Sequence, residues 1–543
     1  MRLGRMGAFH QTRLSFMRAL LRQLKREAWT FDRTMWRMDD RGVGVGVYQA
    51  RGPGHTYSLV CFAHDLPPDM RSDRVIAERW DATFALFDGV PGEADIARMS
   101  RNVPLQEAGN CQETELVLAR ANRSVRLFEH VVDCLAGGEQ PDPEFVERTG
   151  YLMRTTAVYG NGKFGLGDRE RIAARPEFRG AFRVELLAVW LIRWFTVDIA
   201  EHLARQRGPS RAVPLDPRIR ASLGVGNATG LGMAPFLGTH PGLLHAWMDA
   251  RETALMRVRN IGCSDAVTGE VFRATLARAR RDVARWRTDD ARQARRVREL
   301  AGDLERLAVH LDGGALERPA PWDGLVRWSE EHLTTEGQEM LVSLVIEPHG
   351  ELVDDLADGM ALDELPLAAV DGAMTVGEAL AMIEADYGWT LAIDFGSRDA
   401  NARFWYVSEE KLEPRLGERF EEPGADREQP LAFAREMRRL RDDLREADHR
   451  LGLADFLMAR PEYRGEIRRL QLVSRMPYAE IRDNLISADM VPVDLLRCKL
   501  SFFGATRFDP KSDRWVRITM YQNAPYPDTI REDPADDWIY PPL

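Results

Sequence analysis

The sequence predicts a mixed α/β (α+β) protein, rich in helix, in which an internal duplication gives two similarly folded halves about a pseudo-twofold axis. Three observations predict it. Short runs of β-branched and aromatic residues alternate with helical patterns. Three blocks recur in the same order in both halves of the 543 residues. A highly charged stretch lies between the copies. The expected division is an N-terminal repeat over 1–262, a helical connector over 263–320 and a partly degenerate C-terminal repeat over 321–543.

The chain opens with residues 1–26, which carry arginines, one lysine and no acid. That composition suits either a targeting segment or an amphipathic helix, and Leu14, Met17, Leu21 and Leu24 mark one helical face. Extended segments are expected at "VGVGVYQA" from Val43, at "YSLVCFA" from Tyr57, at "ATFALF" from Ala82 and at "LMRTTAVY" from Leu152. Helix is expected at "VIAERW" from Val75 and over 182–205. In the latter, "VELLAVWLIRWFTV" is too short and too interrupted, by Arg193, to span a membrane, and suits a buried helix. Residues 271–311 are heavily charged and free of proline, and read as one or two long helices with solvated faces.

The first repeated block is "EAGNCQETELVLARANRSVR" from Glu107, echoed by "EPGADREQPLAFAREMRRLR" from Glu422; both read as a turn and then a helix with arginines at i, i+3 and i+6. The second is "RPEFRGAFR" from Arg175 against "RPEYRGEIR" from Arg460. The third is "VPLDPRIRASLGVGNAT" from Val213 against "VPVDLLRCKLSFFGAT" from Val491. A weaker echo pairs "YSLVCF" with "WTLAID" from Trp389, both read as strands. Two such halves would pack as a self-complementary dimer fused into one chain does.

Composition narrows the function. Acidic residues exceed basic ones by 11, which argues against nucleic acid as a partner. No run of about 18 apolar residues predicts a membrane span. The five cysteines are scattered without a C-x-x-C pair, as suits a reducing cytoplasm. No H-E-x-x-H, P-loop or G-x-S-x-G motif occurs, so no metal and no cofactor is expected, with a flavin left open.

Only five of the 74 basic residues are lysines. A retained lysine is a candidate for what arginine cannot do, such as giving up a proton. Lys163 lies in "TTAVYGNGKFG", within an insertion (about 136–165) that makes the N-terminal copy 30 residues longer between its first two blocks. Tyr159, Asn161 and Lys163 alternate, so in an extended loop they point one way, while Gly160 and Gly162 leave a ligand room. Tyr159 and Lys163 share the Y-x-x-x-K spacing of short-chain dehydrogenases, but two glycines interrupt it and the glycine-rich nucleotide loop of that family is missing from residues 1–50.

Lys163, Tyr159 and His240 are therefore the candidate catalytic residues. Arg154, Thr156, Asn161, Asn227, Thr229, Arg251 and Arg403 are the candidate substrate-binding residues. Asn227 and Thr229 belong to a glycine-rich stretch, Gly224 to Gly232, of the kind that offers backbone N–H groups to an anion. Arg403 sits in a dense basic and aromatic segment, Ala402 to Phe420. The expected function is an enzyme acting on a small anionic metabolite by proton transfer: elimination (a lyase), isomerisation or hydrolysis. The alternative is a non-catalytic, pseudosymmetric ligand-sensing or assembly protein. A homo-oligomer is compatible with either.

Overall fold

The computed structural model describes residues 12–67, 79–105, 112–124, 126–155, 175–229, 241–288, 290–360, 371–392, 431–479, 500–505, 507–510, 516–532 and 536–540, with the strand pairs 406–407, 414–415 and 427–428. The architecture is mixed α/β, as expected. Its centre is a nine-stranded sheet built from β1 (Thr30–Met38), β2 (Gly44–Arg51), β3 (Thr56–Ala63), β4 (Ala82–Asp88), β5 (Glu115–Arg123), β6 (Tyr151–Thr155) and β7 (Gly224–Thr229), continued by the C-terminal β12 (Val516–Met520) and β11 (Arg507–Pro510). The two-residue strands β8 (Tyr406–Val407), β9 (Pro414–Arg415) and β10 (Arg427–Glu428) pair separately.

β3 and β4 are apolar on both sides, and both faces of this part of the sheet are covered. On one face the helix Glu93–Asn102 lays Ile96 and Met99 against Val47, Val60, Phe62 and Ala85. On the other lies the long central helix Arg183–Arg207, apolar on all sides and buried for most of its length. The N-terminal helix Phe16–Arg26 packs on the central helix and buries Met17, Leu21 and Leu24, with Leu14 just before it, the face anticipated from the sequence.

Arg193 explains its own interruption of that apolar helix. It is fully buried and donates to the carbonyls of Leu223 (2.7 Å), Ala221 (3.0 Å) and Ala524 (2.7 Å). Its guanidinium lies 3.7 Å from the centre of the Tyr526 ring. Burial pushes its pKa down to about 10. Trp190 and Tyr521 add hydrogen bonds between helix and tail, to Pro525 O and from Tyr521 Oη to Leu186 O. One buried cation and two aromatic donors thus lock the C-terminal segment onto the centre of the molecule.

The expected connector is a pair of helices, Ala266–Arg285 and Ala291–Asp312, and its arginines are largely matched by acids: Arg278 meets Asp537 at 2.6 Å and Arg285 meets Glu147 at 2.8 Å. These helices, with Pro241–Arg259, Pro321–His332 and Thr335–Ile346, join the large core that also holds the sheet. That core draws on residues from Leu14 to Tyr540. A second, smaller core is built from Val376–Asp386, Leu431–Glu446, Leu453–Ala459 and Arg464–Arg475, with Ile383, Met437, Leu440 and Ile467 at its centre.

A pseudo-twofold relation between halves is not shown by these elements, and two of the repeat expectations are corrected. The block from Glu107 forms β5, whereas its echo from Glu422 leads into the helix Leu431–Glu446. In β5 the side chains alternate, Ala119 and Ala121 facing the main core, with Arg120 and Asn122 on the other side, and the strand is held between β4 and β6. The i, i+3, i+6 spacing of the arginines fitted a helix, but strand pairing decides. Likewise "YSLVCF" is β3, but Trp389 lies in the short helix Gly388–Ala392, whose carbonyls at Thr390 and Leu391 accept from Arg438. The second block keeps its local form: a 3-10 turn at Pro176–Phe178 and at Pro461–Tyr463 precedes a helix in each copy.

Candidate functional site: a polar face on strands β4 to β7

β6 and β7 are the one parallel pair among the sheet's strands; all others run antiparallel. Their C-terminal ends therefore lie at the same edge. The segment with Lys163 follows β6, and the glycine-rich segment with His240 follows β7. Two candidate segments distant in sequence thus follow adjacent parallel strands at the same end of the sheet.

Beside this edge the sheet turns polar. Opposed residues on paired strands share a face. Thr83 opposes Arg120, and Asn122 opposes Arg154. Arg154 in turn pairs with Gly226 of β7, which has no side chain. The row Thr83, Arg120, Asn122, Arg154 therefore ends beside a bare backbone position. Tyr151 fills part of that space: a Cβ at position 226 would sit 2.6 Å from its ring. A shift in register between Tyr151 and Arg154 brings the ring over the glycine. Gly224 and Gly226 are thus strand residues that admit close neighbours, and their backbones belong to the ladder with β6 and β12 rather than to a phosphate loop.

Thr83, Arg120 and Asn122 on this face are held by named neighbours. The Arg120 guanidinium stacks 4.0 Å from the Trp80 ring, and burial pushes its pKa down to about 10. Asn122 Oδ1 accepts the backbone N–H of Asp81 at 3.0 Å, which leaves its NH2 group as donor. Asp81 also accepts from the Arg123 backbone at 2.9 Å. The His64 Nε2 lies 3.1 Å from Thr83 Oγ1, and burial holds its pKa below the usual histidine range. Arg154 is 5% exposed. Two guanidinium groups and a carboxamide on adjoining strands suit a carboxylate or phosphate.

A second charged cluster gathers around Arg175, where the described chain resumes. Arg175 donates to both carboxylate oxygens of Asp88 (2.9 and 2.5 Å) and to Tyr57 Oη (2.9 Å). His55 Nε2 is 2.6 Å from Asp88, and Tyr57 donates to Glu177 at 2.5 Å. Hydrogen bonds from Arg175 are the largest influence lowering the Asp88 pKa. Every group in this cluster has a partner, which marks it as a clamp.

Of the sequence candidates, Arg154 stands on the polar face. Asn227 is buried on β7 and, as the neighbour of Gly226, projects to the opposite face. Thr229 ends β7. Arg251 is buried in the helical layer, where Glu339 and Glu252 meet its charge. Thr156, Tyr159, Asn161, Lys163, His240 and Arg403 lie outside the described residues. The sequence reading missed Arg120, Asn122, His64 and Tyr151. The available signal was the alternation A-R-A-N at 119–122, obscured by the helical spacing of the arginines. Among the described residues no cluster of three or more His, Cys, Asp and Glu side chains is placed to hold a metal ion, and no helix is long and apolar enough to cross a membrane. No family model matches the chain, and no significantly similar curated protein or solved structure was found.

Proposed function

We propose that the protein is an enzyme acting on a small anionic metabolite by proton-transfer chemistry, an elimination, isomerisation or hydrolysis. The observation that carries this reading is the row Arg120, Asn122, Arg154 beside side-chain-free Gly226, at the edge from which both candidate segments depart. The arginines would hold the anion and spread its charge. Lys163 and Tyr159 would move the proton, with His240 as a further acid or base. No cofactor is part of the scheme, and a flavin stays open. The site of action proposed is the cytoplasm, where the free thiols of Cys61, Cys134 and Cys263 would persist. The shared turn at Arg175 and Arg460 keeps a duplication linking 1–262 with 321–543 across the 263–320 connector within the proposal, as an ancestral relation between blocks.

Native mass spectrometry of the purified protein, beside its absorption spectrum, tests the reading. A co-purifying anion that is lost from Arg120→Gln and turned over by the wild type but not by Lys163→Met supports it. Full turnover in Lys163→Met would refute the catalytic assignment. A partner protein retained regardless of either change would favour a sensing or assembly role.

A further inference from the structure

The central helix starts in an unusual way. Its N-cap residue, Phe182, is held at φ 56° and has no side chain that can accept a first-turn N–H. Tyr521, whose hydroxyl bonds the first turn of the same helix at Leu186 O, also has a left-handed backbone, φ 61°. Bulky residues rarely take this conformation, and the surrounding core must impose it.

Arg183, the first residue of the helix, is 3% exposed. Its guanidinium folds back over Gly180, beyond the helix end. A Cβ at position 180 would collide with Nε and lie 2.8 Å from Cζ. Nε and Nη1 have no hydrogen-bond partner among the described residues. Nη2 is 3.9 Å from Asp358, too far for a hydrogen bond, and Asp358 is half exposed. Arg26 lies 3.6 Å from the other oxygen of the same carboxylate, and Arg22 adds positive charge nearby, though Asp536 at 2.9 Å offsets it. Glu185, in the first turn, is buried and has interactions of its own. Burial, with Arg22 and Arg26 adding to it, pushes the Arg183 pKa down to about 10. A buried cation with unused donors at the positive end of a 25-residue helix is an incomplete arrangement.

We propose that the N-terminus of the central helix is an oxyanion-binding site, in which a phosphate or carboxylate group of a small molecule replaces Asp358 between Arg183 and Arg26. The second copy of the motif supplies the contrast. There Arg468 is exposed, nothing lies within 4 Å of a Cβ at Gly465, and the helix starts directly after the turn. The same nine-residue pattern therefore does not bury its last arginine by itself. The inference is independent of the polar face on β4 to β7.

Thermal unfolding of the full chain, followed with inorganic phosphate or acetate at constant ionic strength, tests it. The wild type is expected to be stabilised by one or both, and the more effective anion identifies the ligand group. Arg183→Met should weaken the response at least about tenfold, the loss of a charge-assisted hydrogen bond. Asp358→Asn, a change at a half-exposed position that leaves folding intact, should tighten binding several-fold by removing the competing carboxylate. No stabilisation of the wild type by either anion would overturn the proposal. So would an anion response unchanged in both variants, which would place the binding elsewhere. Should Arg183→Met fail to fold, an unaltered affinity in Asp358→Asn alone is enough to reject it.

Discussion

The segments Arg175–Arg183 and Arg460–Arg468 share six of nine residues and the same 3-10 turn, yet they do different work. In the first, Phe178 lies 4.8 Å from the ring of Tyr57, and the chain then takes a left-handed step at Phe182 before entering a buried helix. In the second, Tyr463 donates to Asp443 at 2.7 Å and the chain runs straight into a helix with only one buried face. Short-range sequence sets the turn. What surrounds it decides whether the following arginine is buried or solvated.

The largest expected effect separates the two helices. Arg193→Met, in the central helix, leaves the buried Ala524 carbonyl without its donor and weakens two others, since Ala221 O keeps the Asn523 N–H at 2.7 Å and Leu223 O keeps the Tyr526 hydroxyl at 3.3 Å. The orphaned group costs about 1–3 kcal/mol and the lost stacking on the Tyr526 ring adds to it, so a loss of about 2–4 kcal/mol is expected by denaturant unfolding. Arg468→Ala, in the exposed counterpart, should fall within about 0.5 kcal/mol of wild type. The paired glycines should differ in sign. Gly180→Ala forces a collision with Arg183 and should destabilise by about 1–3 kcal/mol. Gly465→Ala meets open space within a helix and should stabilise by about 0.5–1 kcal/mol. A common sign for both would erase the contrast. Tyr463→Phe, which makes the second turn more like the first, should cost about 1 kcal/mol through the lost bond to Asp443.

Acid should also act unevenly. Burial lowers the pKa values of His64, His245 and His349, so the folded state prefers them neutral. Their contribution is complete above the ordinary histidine value of about 6.5 and declines as pH falls below it. His245 Nδ1 accepts the Tyr478 N–H at 3.3 Å and stacks on its ring, so protonation there removes an acceptor that ties the smaller core's C-terminal end to the helical layer. Glu466, raised by burial in the smaller core, has the opposite sign: its contribution is present at low pH and is lost as pH rises through its folded pKa. Hydrogen exchange between pH 7 and 5 should show the sheet unit loosening before the small helical core. A uniform response would contradict these assignments.

Much of the fold was legible locally. Short runs of β-branched and aromatic residues gave β2, β3, β4 and β6, and the long apolar run broken by Arg193 gave the buried central helix. Two elements were misread for the same physical reason. At Glu115–Arg123 and at Trp389 the local spacing fits both periods, and long-range partners decide between them. The proposed polar face was visible in the sequence only at one position. Arg154 stood out within the lysine-bearing insertion, but Arg120 and Asn122 join it only through strand register, and β6 meets β7 only through a pairing distant in sequence. Arg183 was hidden inside a repeated motif, since nothing in "RPEFRGAFR" announces the turn at Phe182.

The central claim is that the polar face of β4 to β7 binds the substrate anion. Calorimetric titration of the co-purified or screened anion against wild type and Arg120→Gln tests it most directly, because Arg120 is only partly buried and the variant should fold. The account predicts at least about tenfold weaker binding in Arg120→Gln, with unfolding stability nearly unchanged. Equal affinity in the two proteins would contradict it.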